Sequence, residues 1–143
     1  MTDGFATVRH MVVRPTENWR QYVAQEARQV ASGELDAECA SAQELYPEAM
    51  LVRTDEVLQP FEREIAALTD PADDEIFAAI ERVVLALNKV NDDYDGAVYE
   101  TDEREQLCEY IERSLAEAGI DIDAFAGRHS LTRHQITDKW RDW

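Results

Sequence analysis

Residues 70–119 read DPADDEIFAAIERVVLALNKVNDDYDGAVYETDEREQLCEYIERSLAEAG. Two helical patterns flank a short acidic connection. In the first, Asp70 is the expected N-cap and Pro71 the expected first helical residue, where a missing N–H costs nothing. Asp73, Asp74 and Glu75 then suit the positive end of the helix dipole. Ile76, Phe77, Ile80, Val83, Val84, Leu87 and Val90 follow at offsets 0, 1, 4, 7, 8, 11 and 14, one helical face. A stop is expected near Asn91, because Asp92, Asp93, Tyr94, Asp95 and Gly96 are turn formers. The second helix is expected from Thr101 as cap. It carries Leu107, Tyr110, Ile111, Ser114, Leu115 and Ala118 inward, and Gly119 ends it in a left-handed conformation. Ala97, Val98 and Tyr99 leave room only for a short extended link. Helices joined this closely are expected to pack as an antiparallel hairpin. The fold class that follows is all-α: a single compact domain of about five helices around the hairpin Asp70–Gly119.

Outward from this pair, the patterns are weaker. Thr7 to Val13 reads as a short strand or an extended arm, within an arm spanning residues 1–15. Thr16 is expected to cap a helix to about Ala31, with Trp19, Tyr22, Val23, Ala27 and Val30 inward and Ser32-Gly33 as its end. A lesser helix is expected over Ala37 to Leu45, with Cys39, Ala42 and Leu45 inward. From Glu48 to Leu68 an apolar stripe contains Pro60, which is expected to kink or split the helix near Leu58. Beyond Gly119, Ile120, Ile122 and Phe125 predict a short helical turn. Residues 128–143 form a polar tail whose Trp140 and Trp143 are expected to dock on the helical body.

The chain has 143 residues and a formal net charge of −17, with 45% apolar residues. That apolar share supports a packed domain in spite of the charge. No apolar run is long enough to cross a membrane, and MTDGFATVRH lacks the basic and apolar regions of a signal peptide. A cytoplasmic protein with two reduced thiols, Cys39 and Cys108, is therefore expected. The charge disfavours direct nucleic-acid binding and anionic membranes, since phosphate recognition needs a basic footprint. It favours a basic protein partner, and it also serves solubility.

The segment Glu100, Thr101, Arg104, Glu105 (ETDERE) and the ending Trp140-Arg141-Asp142-Trp143 resemble a group of small bacterial helical proteins of unknown function. In those, an apolar, asparagine-containing helix precedes an acidic turn, an ET-x-x-RE segment and an aromatic ending. The resemblance covers roughly Tyr46 to Trp143. It implies an all-helical fold and brings no activity, cofactor or catalytic residue.

Motifs with chemistry are few. The chain has no phosphate-binding glycine loop, HExxH or GxSxG. His129 and His134 are about 140° apart on a helix and would not share a face. Cys108 is flanked by Glu105, Glu109 and Glu112, which oppose a thiolate, and reads as a core or boundary thiol. Asn91, Asp93 and Asp95 with Gly96 match the start of a calcium-loop register, but Asp102 stands where its closing glutamate belongs. Turn formation accounts for the same residues. No metal, cofactor or catalytic set is expected.

The expected function is accordingly a non-enzymatic acidic binding protein of the immunity or inhibitor type, which masks a basic partner such as a toxin or nuclease. Its partner-binding residues would be Asp92, Asp93, Asp95, Glu100, Asp102, Glu103 and Glu105. Two alternatives remain: a small helical enzyme or ligand-binding domain using carboxylates and histidines, and a structural or dimerisation module.

Overall fold

A computed structural model of the chain describes residues 12–143. Among the described residues there are six α-helices and no strand. They are α1 (Pro15–Ser32), α2 (Ala42–Leu45), α3 (Glu48–Ala66), α4 (Asp73–Asp93), α5 (Thr101–Glu117) and α6 (Ile122–Arg128). Single 3-10 turns cover Ala37–Cys39 and Arg133–Gln135. The all-α class is as expected. Most of the proposed N-terminal arm lies outside the described residues, and the described Val12 and Val13 belong to no strand.

The core runs along α3, α4 and α5. Met50, Leu58, Ile80, Val84, Leu87, Leu107, Ile111 and Leu115 are fully buried there. The expected stripe of α4 is the buried face, with Phe77 half-buried at its edge against Phe125. The most extensive helix packing is α3 on α4; the consecutive helices α4 and α5, expected to pack on each other as an antiparallel hairpin, instead meet far less extensively, and α3 takes that place beside α4. Tyr110 on α5 packs its ring 6.4 Å from Phe61 of α3 and bonds Glu62 of α3 through its hydroxyl.

Several local expectations change. Asp70 has φ 48° and cannot be the extended N-cap, so α4 starts at Asp73, where Glu75 accepts a hydrogen bond from the Ala72 N–H at 2.9 Å. Likewise α5 is capped at Glu100 and not Thr101, with Glu103 reaching back to the Glu100 N–H at 3.2 Å. Pro15 and not Thr16 begins α1; Thr16 is buried and donates to Asp55 at 2.6 Å. The helix containing Pro60 is not split: α3 is continuous, and Pro60 lies on its exposed side, where water can meet the carbonyl it leaves unbonded. Ala42 is buried as expected, whereas Cys39 and Leu45 face outward, because Ala37–Leu45 is two short turns and not one helix.

Three polar side chains organise the connections. Glu26, buried on α1, accepts from the Ala42 N–H at 2.8 Å and so supplies the start of α2. Asn91 accepts from the Val98 and Tyr99 N–H groups, both at 3.0 Å, and fixes the α4–α5 link. Asn88 donates to the Trp140 carbonyl at 2.7 Å and accepts from the Asp142 N–H at 3.1 Å. Trp143 is buried, with its ring 5.7 Å from Tyr99.

The two long helices of the link end alike. At α5 the Ile120 N–H returns to Leu115 and the Gly119 N–H to Ala116, with Gly119 at φ 98°. At α4 the Gly96 N–H returns to Asn91 and the Asp95 N–H to Asp92, with Asp95 at φ 62°. Both are Schellman endings.

Candidate functional site

The α4–α5 link and the first turn of α5 make a strongly acidic stretch. Residues 92–105 hold seven carboxylates and one arginine. Their placement separates them into two groups. Asp93 pairs with Arg53 and with Lys89, each at 2.7 Å, and these two cations hold its carboxyl below the usual range, Lys89 having the larger effect. Glu103 is half-buried and accepts from the Tyr46 hydroxyl at 2.7 Å as well as from Glu100 N–H. Burial and Glu103 together push the Tyr46 hydroxyl well above its usual value. These two carboxylates are tied into the fold. Asp92, Asp95, Glu100, Asp102 and Glu105 are exposed, and none has an ion pair among the described residues.

Asp92 and Asp95 stand at the C-terminal end of α4, where the helix dipole is negative and the last turn offers no basic residue. Their charge opposes the dipole. Glu100 and Asp102, at the start of α5, lie with it. The partial calcium register does not assemble, since Asn91 is buried and its side-chain oxygen is committed to the backbone of Val98 and Tyr99. Among the described residues no cluster of three His, Cys, Asp or Glu side chains is placed to hold a metal ion.

Beside this edge lies a cleft of about 290 Å³. Glu44, Leu45 and Pro47 form one wall and Tyr94, Ala97, Val98, Glu100 and Glu103 the other. Asn91 fixes the second wall through Val98, and the Tyr46–Glu103 bond ties the walls together. The sequence reading did not include Glu44 and Leu45 in the site. Leu45 is 52% exposed although it was expected inward. Signals for the second wall were present: Asn91 continues the apolar stripe of α4, at offset 15 from Ile76, so a buried amide there needs backbone partners nearby.

A second concavity, a groove of about 690 Å³, runs between α5 and residues 133–141. Arg104, Cys108, Glu112, Arg133, His134 and Arg141 line it. Burial raises the Glu112 carboxyl above its usual range, against the opposing effect of His134, whose Nδ1 lies 3.3 Å away. Burial also raises the Cys108 thiol, which keeps it protonated and agrees with a boundary cysteine. Arg141 is held by Asp138 at 2.8 Å and by the Trp143 carbonyl at 2.6 Å. The two histidines are apart: His129 bonds Asp73 at 2.8 Å and lines a different groove, beside Phe77 and Trp140. His10 lies outside the described residues.

No helix among the described residues is long and apolar enough to cross a membrane. No family model, curated protein or solved structure matches the chain.

Proposed function

We propose that the protein is a non-enzymatic binding protein whose acidic α4–α5 edge docks a basic protein partner, in the manner of an immunity or inhibitor protein that masks a toxin or nuclease. One observation carries this reading. Asp92 and Asp95, at the negative end of α4, have no ion pair among the described residues, an arrangement unfavourable to the fold itself. Charge that works against stability is expected where it serves binding. The net charge of −17 adds long-range attraction for a cationic surface. Asp92, Asp95, Glu100, Asp102 and Glu105 contact the partner in this reading, while Asp93 and Glu103 hold the edge in shape.

The test is capture of a partner from extract of the source cells, elution by rising salt, and reconstitution with the purified partner. The on-rate should fall about tenfold or more between low and high salt, as steered association does. A salt-independent on-rate removes the proposal.

A second reading has one observation of its own. The groove over Glu112 has the size of a small-molecule site and holds a buried carboxyl displaced from its usual pKa. A metabolite that raises the melting temperature of the protein, and no longer does so with Arg104→Ala, would support a ligand-binding domain.

A further inference from the structure

We infer that the cleft between Leu45 and Val98 receives a single lysine or arginine side chain of a basic partner, as the anchor of the acidic edge. The inference rests on the binding reading above and deepens it. Three features select this occupant. The first is size: about 290 Å³ lies at the lower limit for small-molecule pockets and suits one long side chain. The second is the mixture of surfaces that line the cleft. Leu45, Pro47, Tyr94, Ala97 and Val98 are apolar, and Glu44, Glu100 and Glu103 are anionic. A lysine or arginine has this same division, an aliphatic stem and a charged head. The third is charge complementarity. Glu44 and Glu100 have no ion pair among the described residues, and Glu103 is already oriented by the Tyr46 hydroxyl and the Glu100 N–H. An oriented carboxylate loses little freedom when a cation arrives.

Among the exposed large apolar residues, Leu45 at 52% is the one that borders this acidic cleft. Covering it with an aliphatic stem removes apolar surface from water at the same step that pairs the carboxylates. Neither a wholly apolar side chain nor a small inorganic cation would gain both.

The experiment follows the Leu45 and Val98 methyl resonances of the full chain during titration with N-acetyl-lysine amide. N-acetyl-norleucine amide, with a similar stem and no charge, is the control. A nona-lysine peptide, titrated at low salt, tests the acidic reading separately. The expected result is a saturable shift of both methyls with the lysine amide and none with the norleucine amide. Leu45→Ala and Glu44→Gln, both at exposed positions, should each weaken the lysine amide at least threefold. Equal shifts from both amides, or no shift at Leu45 and Val98, overturn the inference. Nona-lysine that binds wild type and both variants equally leaves the acidic edge standing and removes the cleft as its anchor. Nona-lysine that fails to bind at all removes the acidic reading itself.

Discussion

The two ends of α4 use charge in opposite ways. At the N-terminal end, Asp73 sits in the first turn, where the dipole favours it, and is held by Arg128 Nε and Nη2 at 2.9 and 2.8 Å and by His129 at 2.8 Å. At the C-terminal end, Asp92 and Asp95 oppose the dipole with no ion pair among the described residues, and the order of the link comes from a neutral amide, Asn91. One end joins α4 to α6 by complementary charge. The other is shaped by buried hydrogen bonds, which leaves its surface carboxylates available to an outside cation. The difference teaches that net charge alone does not locate a binding surface. What distinguishes the link is that five of its seven carboxylates, all but Asp93 and Glu103, make no ion pair or side-chain hydrogen bond among the described residues.

The strongest way to break this comparison is Asn91→Ala. The substitution leaves the Val98 and Tyr99 N–H groups without an acceptor in a place where Val98 is 9% and Tyr99 2% exposed. Each orphaned donor costs about 1–3 kcal/mol, so a loss of about 2–6 kcal/mol in urea unfolding is expected for the two. The Val98 wall of the cleft should loosen with it, seen as faster amide exchange at Val98 and Tyr99. A loss below about 1 kcal/mol would mean that the link is ordered by something other than Asn91.

How far the sequence could show this follows from the kind of signal each element carries. The buried faces of α4 and α5 were legible because apolar residues recur at helical spacing over many turns, and burial of that stripe leaves one arrangement. The Gly119 ending was legible for the same reason, a local rule with one common solution. Leu45 was misplaced because its neighbourhood has no period long enough to fix a face. Pro60 was expected to kink or split the helix because the rule concerns the lost bond, and whether water can satisfy the carbonyl depends on which side of α3 faces the solvent. The acidic residues of the link could be named, but not sorted. Glu103 is set apart by Tyr46, 57 residues away, and Asp93 by Arg53, 40 residues away, as well as by its i,i+4 neighbour Lys89; the distant partners leave no local trace. The groove over Glu112 was missed because its second wall comes from residues 133–141, a stretch with no periodicity to place it.

A smaller effect tests the N-terminal end. Arg128, and secondarily His129, hold the Asp73 carboxyl well below the usual carboxylate range. A depressed folded-state pKa contributes stability that is present above the unfolded value of about 3.9 and disappears as pH falls through the folded value. Asp73→Asn should therefore lower stability by a constant amount above about pH 5, and the difference from wild type should shrink progressively below pH 4. Chemical denaturation at pH 7, 4 and 2.5 follows this directly. A difference that stays the same at pH 7 and 2.5 would assign the Asp73 contribution to shape and not to charge, and the contrast between the two ends would lose its electrostatic half.

The smallest effect has the opposite sign and bears most directly on function. Asp92→Asn with Asp95→Asn removes two charges that oppose the α4 dipole and keeps side chains of the same size. Asn adopts the left-handed conformation of Asp95 as readily as Asp, so the φ of 62° introduces no strain of its own. A gain of about 0.3–1 kcal/mol per site is expected at low ionic strength, diminishing as salt screens it. The same variant should bind nona-lysine more weakly and associate more slowly with a basic partner. Greater stability together with weaker binding would show that the link keeps its charge at the expense of the fold. A variant that is less stable would place Asp92 and Asp95 among the residues that hold α4 in shape, and the two ends of the helix would then differ in partners but not in purpose.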